Sequence, residues 1–172
     1  GQPQTFTEEI IINMKKYCSS PIIFALSNPT SRAECTAEQA YLWTNGQAIF
    51  ASGSPFDLVK INGKTLHPGQ GNNMYIFPGV GLGSIIGELS SIPEEVFYSA
   101  AKILSECVTE EDIKLGRVYP PLSEIRNISL KIAVKICNSF SEKFHNMNVD
   151  KICENVKNKM FQNLQKCISS SD

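Results

Sequence analysis

Three asparagines at bends of the chain are the residues best suited to bind a small ligand. Asn72 and Asn73 form a compact polar pair inside a glycine-rich, mostly apolar stretch, residues 67–87, and Asn28 follows an apolar run in the turn SNPT. An amide side chain offers two donors and one acceptor oxygen, which suits a carboxylate, hydroxyl or carboxamide held without net charge. Asparagine is also common in turns, so a purely structural interpretation stays open at this point.

Residues that could perform acid, base or nucleophilic chemistry are not grouped by the sequence. His67 and His145 are isolated, and a lone histidine before a proline is typical of a loop. No Ser, His and Asp set is evident, and the carboxylates fall in the first turns of predicted helices, where capping explains them. Gly79, Gly81 and Gly83 follow no predicted strand, so a dinucleotide-binding fingerprint is rejected. The sequence therefore predicts no catalytic residue and no metal ligand in this chain.

Length and composition describe a globular chain. Its 172 residues, 42% of them hydrophobic, suffice for one domain or one domain with an appendage. Sixteen basic and seventeen acidic residues are spread along the chain and leave no basic face for nucleic acid or anionic lipid. No segment reaches the roughly 20 apolar residues of a membrane span, and the first residues lack the basic and then hydrophobic pattern of a secretory signal. We expect neither a nucleic acid nor a membrane as partner.

The six cysteines are scattered, with no C-x-x-C pair. We interpret them as buried thiols in a reducing compartment, with a disulfide framework as the alternative.

The first stretch of the chain predicts a helix followed by a strand. Thr5 with Glu8 forms a capping box that would begin a helix of about ten residues. The run from Ile22 to Leu26 is apolar throughout, which predicts a strand covered on both faces, as in a parallel sheet. Ligands of such sheets bind beyond the carboxyl ends of the strands, where Asn28 lies.

The same order is then repeated. Thr36 with Gln39 forms a second capping box for a helix over residues 37–44, in which Leu42 and Trp43 are expected to pack on the sheet.

A second apolar run, residues 48–51, predicts another strand, so alternating helices and strands indicate an α/β sheet. Asn62 with Gly63 predicts a hairpin across residues 59–66. The glycines that follow, among them Gly69 and Gly71, favour bends and tight helix contacts over a regular strand.

The rest of the chain is predicted to be helical. Pro93 opens one helix, Thr109 with Asp112 caps a short one, and Ser123 caps a long one. That long helix carries an apolar stripe, and the tail repeats its spacing as an amphipathic helix that needs a partner surface. The two stripes are Ile125, Ile128, Ile132, Ile136, Phe140 and Phe144, and Val149, Ile152, Val156, Met160, Leu164 and Ile168.

Four segments closely resemble, in order and spacing, the carboxyl-terminal part of malic enzymes: PIIFALSNPTSRAECTAEQAY, AIFASGSPFD, HPGQGNNMYIFPGVGLG and RVYPPLSEIRNISLKIA. The resemblance covers the chain from about Phe6 to Phe140, and the tail departs most from the family pattern. It implies oxidation of L-malate with NAD or NADP and decarboxylation to pyruvate and CO2, with Mg²⁺ or Mn²⁺.

By that resemblance, Asn28 and Asn72 contact both the substrate and the nicotinamide, and Asn73 contacts the substrate. The family's tyrosine acid, lysine base, metal-binding carboxylates and phosphate loop match nothing here. We therefore expect the metal ligands to lie outside these 172 residues, and the isolated chain to be inactive.

The resemblance also implies a fold and an organisation. The expected class is α/β, an incomplete Rossmann-like parallel sheet followed by a mostly helical carboxyl-terminal region. Residues 1–71 would end the NAD(P)-binding domain, residues 72–145 would return to the substrate domain, and residues 146–172 would form an amphipathic tail. Two remaining strands would leave the sheet open and the isolated chain marginally stable.

The expected partners are L-malate or pyruvate, together with a second copy of the chain or the rest of the enzyme. The expected location is intracellular, mitochondrial or cytoplasmic. The alternative function is a non-catalytic truncated paralogue or fragment that acts as a binding or oligomerisation module.

Overall fold

The computed structural model describes the backbone of residues 1–169 and the side chains of residues 1–160. In chain order, the described residues form α1 (Glu8–Tyr17), β1 (Ile22–Ala25), α2 (Ala37–Trp43), β2 (Ile49–Ser52), β3 (Val59–Ile61), β4 (Lys64–Leu66), β5 (Gly69–Gln70), α3 (Phe77–Ile86), α4 (Glu94–Glu106), α5 (Glu110–Lys114), α6 (Ile125–Phe140) and α7 (Val149–Ser169).

The chain divides into two compact units. Unit 1 consists of Gly1–Asn72 and Cys107–Pro120, and unit 2 of Asn73–Glu106 and the described part of Pro121–Asp172. Each unit has a hydrophobic core made of its own residues.

Unit 1 is built on a parallel sheet in which β2 lies between β1 and β5. The strand predicted at residues 22–26 is confirmed and ends at Ala25. Ile23 pairs with Phe50 of β2 and is buried, as Ala25 is, whereas Ile22 is 60% exposed. Strand β1 is therefore fully covered on one face only. The α/β class with a Rossmann-like parallel sheet is confirmed.

The third strand, β5, is a finding of the structure. Gly69 and Gln70 pair with Ala51 and Ser52 of β2, so the expectation of bends at Gly69 is wrong. A Cβ added at Gly69 would lie 3.3 Å from the Ala51 Cβ, which shows how closely the two strands approach. A strand of two residues has no periodic pattern from which it could be predicted.

The predicted hairpin is confirmed as β3 and β4, with Val59 opposite Leu66. Asn62 has a φ of 49° and Gly63 a φ of 73°. Positive φ at both central residues is what a type I′ turn requires, and the Asn-Gly pair adopts it at low cost.

Helix α1 has its N-cap two residues after the predicted one. Thr7 is the N-cap, and its hydroxyl accepts from the Ile10 N–H at 3.4 Å. The Thr5 hydroxyl instead donates to the Gln2 carbonyl at 3.2 Å, so the predicted capping box of Thr5 with Glu8 is wrong. Because Thr5 and Thr7 are both good caps, the sequence alone did not separate them.

Helix α2 begins as predicted. The Thr36 hydroxyl accepts from the Gln39 N–H at 3.1 Å, and the Gln39 side chain accepts from the Thr36 N–H at 2.9 Å. Tyr41 is the buried anchor of this helix, and Trp43 packs at the rim of the same core. Leu42 is 61% exposed, so its predicted packing on the sheet is wrong, because adjacent residues of a helix face different directions.

Unit 2 is organised around α6, against which α3, α4 and α7 all pack. Helix α3 approaches α6 through glycines: a Cβ added at Gly79 would lie 2.7 Å from the Ile132 Cβ, and one added at Gly83 would lie 2.9 Å from the Ala133 Cα. The tight helix contacts predicted for the glycine-rich stretch are thus confirmed at these two positions.

The predicted apolar stripe of α6 is buried at Ile128, Ile132 and Ile136. Phe144 is also buried, but it lies beyond the helix in a 3₁₀ turn, Glu142–Phe144. The predicted cap is wrong: Ser123 lies within a preceding 3₁₀ turn, and no side chain caps α6.

The amphipathic tail has its partner surface inside unit 2. Ile152 and Val156 of α7 are fully buried in a core with Ile86 and Cys137, and Met160 packs against that core. The stripe positions Leu164 and Ile168 lie outside the described side chains.

The other helix predictions stand. Helix α4 runs from Glu94, directly after Pro93, to Glu106, and the capping box of Thr109 with Asp112 begins α5. None of the helices in the part of the chain that the structure describes is long and apolar enough to cross a membrane.

The interpretation of the cysteines as buried thiols holds for some and is wrong for one. Cys35 and Cys137 are buried free thiols, and burial raises their pKa values to about 12 and about 11. Cys107 and Cys153 are half-buried, whereas Cys18 is exposed where α1 ends. Cys167 lies outside the described side chains.

Candidate functional site

The carboxyl ends of β1, β2 and β5 lie at one edge of the sheet, because the three strands are parallel. Residues 26–28, 53–54 and 71–72 follow these ends. Asn28 and Asn72 are thus both placed at the edge where open α/β sheets bind ligands.

Asn28 is exposed and is held by a serine from the turn after β2. The Ser54 hydroxyl donates to the Asn28 Oδ1 at 2.6 Å. The Ser52 hydroxyl in turn donates to the Ser54 carbonyl at 2.7 Å. Neither serine was predicted to belong to the site, although both lie in the polar turn that ends the second predicted strand.

Backbone hydrogen bonds join the three strand ends. The Gly53 N–H donates to the Ala25 carbonyl at 3.1 Å, and the Gly71 N–H donates to the Ser52 carbonyl at 2.8 Å. A Cβ added at Gly53 would lie 2.2 Å from the Leu26 carbonyl oxygen, so only glycine fits there.

A carboxylate braces the turn before Asn28. Glu34 accepts from the Ser27 N–H at 3.2 Å and also from the Ser27 hydroxyl. Burial acts to raise the pKa of Glu34, but the hydrogen bonds from Ser27 outweigh it and leave the pKa below its ordinary value. The charged carboxylate is therefore the form that holds Ser27 in place.

Tyr119 reaches the end of β5 from the segment that returns to unit 1. Its ring lies 6.2 Å from the ring of Phe24, and burial raises the pKa of its phenol. A Cβ added at Gly71 would lie 3.2 Å from the Tyr119 hydroxyl and 3.1 Å from Leu26. Gly71, directly before Asn72, thus lets the tyrosine and the strand end approach closely.

Asn72 and Asn73 differ in surroundings. Asn72 is half-buried at the end of β5. Asn73 is exposed and opens a 3₁₀ turn, Asn73–Tyr75, in which its carbonyl accepts from the Ile76 N–H at 3.1 Å. The asparagine pair is therefore part of a turn, as well as a source of amide groups.

A second polar cluster lies before the amino end of β5. Arg117 Nη2 is 3.1 Å from His67 Nδ1, and Arg117 Nη1 is 3.4 Å from Asp112 Oδ1. Because a guanidinium only donates, His67 Nδ1 must accept, which places the proton of the neutral ring on Nε2. The expectation that His67 is isolated is wrong, since its partner lies fifty residues away in sequence.

The pKa values in this cluster follow its contacts. Burial and the neighbouring Arg117 charge lower the pKa of His67. Burial acts to raise the pKa of Asp112, but hydrogen bonds from Thr109 and the charge of Arg117 lower it below its ordinary value. The cluster ties α5 to the segment that leads into β5, on the side away from Asn28.

The described residues contain no group of three or more His, Cys, Asp or Glu side chains that could hold a metal ion. The described residues thus do not fit a divalent metal site. What the edge of the sheet does offer is amide groups, hydroxyls and backbone groups of fixed geometry.

Comparison with known proteins gives the family. A family model described as the malic enzyme, NAD binding domain, matches residues 1–141. Over 132 residues, 76% of this chain, the sequence is 60% identical to an NADP-dependent malic enzyme of Anas platyrhynchos. It is 57% identical over 131 residues to an NAD-dependent mitochondrial malic enzyme of Ascaris suum.

These matches cover 24% and 20% of the two relatives, so the chain spans about a quarter or less of their length. A mitochondrial NADP-dependent malic enzyme of Homo sapiens is 55% identical over 132 residues, 22% of its own length. Because the family model covers most of the chain and these relatives agree with it, the chain belongs to the malic enzyme family.

Proposed function

We propose that this chain forms part of an oxidoreductase that uses NAD or NADP to oxidise L-malate and decarboxylate the product to pyruvate and CO2. Family membership supports the reaction class, and the relatives named above include enzymes of both cofactor types. The observation that carries the assignment of the site is the placement of Asn28 and Asn72 beyond the carboxyl ends of parallel strands.

Each asparagine has a proposed role. Asn28 and Asn72 contact both malate and the nicotinamide, and Asn73 contacts malate. Amide donors suit this task because they hold a carboxylate through hydrogen bonds without adding charge and without competing for a metal. The proposal for Asn73 rests on the family resemblance and on its position next to Asn72.

The chemistry itself is proposed to need residues outside this chain. Mg²⁺ or Mn²⁺ would supply Lewis acidity in the full-length enzyme, with ligands elsewhere, as would the general acid and base. This chain's residues bind and orient the substrate and the nicotinamide.

The organisation proposed for the full-length protein follows the same reasoning. Residues 1–71 end the NAD(P)-binding domain, residues 72–145 return to the substrate domain, and residues 146–172 form a helical tail. Assembly into a homo-oligomer and a mitochondrial or cytoplasmic location belong to the proposal, and one relative named above is mitochondrial and NAD-dependent.

The test is Asn73→Ala in a full-length malic enzyme that carries residues 1–141 of this sequence. Loss of a donor to a charged carboxylate removes about 1.5 to 3 kcal/mol, so kcat/KM for malate should fall roughly 10- to 150-fold. Asn138→Ala, which removes an exposed amide from α6, is the matched control and should change kcat/KM by less than about twofold. An unchanged kcat/KM for Asn73→Ala would count against the assignment.

A second candidate is a non-catalytic module that pairs with longer subunits. It is favoured by the lack, among the described residues, of any group of three or more His, Cys, Asp or Glu side chains that could hold a metal ion. Assay of the 172-residue chain separates the two candidates: malate-dependent NAD(P)H production with Mn²⁺ by this chain alone would contradict the view that the chemistry lies elsewhere. Co-purification with a full-length malic enzyme, without such activity, would favour the module.

A further inference from the structure

We infer that Ser54 is a positioning residue for the proposed reaction: its hydroxyl fixes the side-chain amide of Asn28 so that the NH2 group, and not the oxygen, is offered to the ligand. This inference rests on the proposed function of Asn28. In it, Ser54 determines which end of the Asn28 amide faces the ligand.

The distance between the two side chains identifies the atoms in contact. The Ser54 Oγ lies 2.6 Å from the Asn28 Oδ1. O–H···O hydrogen bonds span about 2.5 to 3.0 Å, whereas N–H···O hydrogen bonds rarely fall below about 2.7 Å. The separation is thus that of a hydroxyl donating to the amide oxygen.

Two hydrogen bonds hold the turn that carries Ser54, one to Ser54 and one from Gly53. The Ser52 hydroxyl donates to the Ser54 carbonyl at 2.7 Å, and the Gly53 N–H donates to the Ala25 carbonyl at 3.1 Å. These bonds fix the turn after β2 against the end of β1. The backbone that carries the Ser54 side chain is therefore held in place before a ligand binds.

Gly53 brings the two turns close enough for the contact. An added Cβ at Gly53 would lie 2.9 Å from Asn28 Oδ1 and 2.2 Å from the Leu26 carbonyl oxygen. The amide oxygen of Asn28 is thus enclosed by the turn after β2. Among the described residues, no acceptor is hydrogen-bonded to its NH2 group. Because Asn28 is exposed, this group is available to a ligand.

The ligand group that this arrangement selects is an acceptor oxygen. A malate carboxylate and the carboxamide oxygen of nicotinamide both provide one, and both accept from an amide NH2. Without the Ser54 hydroxyl, the amide of Asn28 can turn over and present its oxygen to the ligand, which repels an acceptor. Binding should then weaken for whichever ligand Asn28 contacts.

The experiment is a double-mutant cycle in a full-length malic enzyme that carries residues 1–141 of this sequence. The variants are Ser54→Ala, Asn28→Ala and the two combined, with kcat, KM for malate and KM for NAD(P) measured for each. One neutral hydrogen bond corresponds to about a three- to tenfold change, so Ser54→Ala should lower kcat/KM by that factor. In the Asn28→Ala background, Ser54→Ala should lower kcat/KM by less than about 1.5-fold.

Two further variants separate positioning from general structure. Ser54→Thr keeps the hydroxyl and should retain kcat/KM close to that of the parent, whereas Ser54→Ala should not. Ser105→Ala removes an exposed hydroxyl that donates to the Lys102 carbonyl, and it should leave kcat/KM unchanged. A rise confined to KM for malate identifies the carboxylate as the ligand group, and a rise confined to KM for NAD(P) identifies the carboxamide.

Failure of this inference differs from failure of the proposed function. If Asn28→Ala lowers kcat/KM but Ser54→Ala does not, or if the two losses multiply in the combined variant, the positioning role of Ser54 is overturned while Asn28 keeps its role. If Asn28→Ala changes nothing, the proposed site is wrong and this inference is overturned with it.

Discussion

At the scale of single residues, the contact between Asn28 and Ser54 joins side chains that are close in space and far apart in sequence. Asn28 could be located from the sequence, because an asparagine directly after an apolar run must lie near the end of that strand. Its partner Ser54 could not, because the pairing of β1 with β2 brings together residues separated by 26 positions. The sequence also could not predict that Thr7, and not Thr5, caps α1, because both are threonines and threonine caps helices well.

His67 should make stability depend on pH in a defined direction. Because burial and Arg117 lower its pKa in the folded chain, the unfolded chain binds more protons below about pH 6.5, the ordinary value for histidine. The free energy of unfolding should therefore decrease as the pH falls through this value. In His67→Asn, whose side-chain oxygen can accept from Arg117 in place of Nδ1, this part of the decrease should disappear.

Urea unfolding of the parent and of His67→Asn between pH 5.5 and pH 8 measures the effect. As the pH falls, the unfolding free energy of the parent should decrease relative to that of His67→Asn. A difference that stays constant across this range would contradict the lowered pKa of His67.

At the scale of elements, helix α3 shows which features of a glycine-rich stretch a sequence can and cannot convey. That glycines permit close packing was predictable, but which of them face a neighbour depends on the orientation of α3 against α6. Gly79 and Gly83 face α6, four residues apart, whereas nothing lies within 4 Å of a Cβ added at Gly81. Helical spacing of 3.6 residues per turn accounts for this alternation.

The three glycines of α3 should respond to alanine in opposite ways. Gly79→Ala and Gly83→Ala should destabilise the chain by roughly 1 to 3 kcal/mol, because the added methyl group would overlap Ile132 in one case and the Ala133 backbone in the other. Gly81→Ala should stabilise it by about 0.5 to 1 kcal/mol, because alanine has the higher helix propensity and the site is open.

Chemical unfolding of the three variants, monitored by helical circular dichroism, measures these changes. Gly81→Ala serves as the control, since it makes the same substitution in the same helix. Equal effects at Gly79 and Gly81 would show that α3 does not pack on α6 through its glycines.

At the scale of the whole molecule, the order of helices and strands other than β5 was predictable because its signals are local: apolar runs, capping threonines and the Asn-Gly turn. The division into two units was not, because the segment Cys107–Pro120 returns to unit 1 after two helices of unit 2. This segment contributes two contacts between residues far apart in sequence, that of Tyr119 with Phe24 and that of Arg117 with His67. The tail helix that needed a partner found it in the core of its own unit.

The sheet of unit 1 has an open side along its outer strand β1. Among the described strands, β1 pairs only with β2, so its outer edge carries unpaired backbone groups, and Ile22 is 60% exposed on it. Such an edge favours pairing with another chain, and exposed apolar surface contributes about 25 cal/mol per Å² when covered. We therefore expect the isolated 172-residue chain to self-associate and to bind a hydrophobic dye.

Ile22→Lys should reduce this self-association, because a charged residue at an edge strand opposes pairing. Leu42→Lys is the matched control: Leu42 is 61% exposed, but it lies on helix α2, so its replacement should leave self-association nearly unchanged. Sedimentation and dye fluorescence measure the outcome, with thermal unfolding to verify that both variants fold. A parent chain that is monomeric and unfolds cooperatively above about 60 °C, near the upper limit for mesophile domains, would show that its exposed edge carries no such tendency.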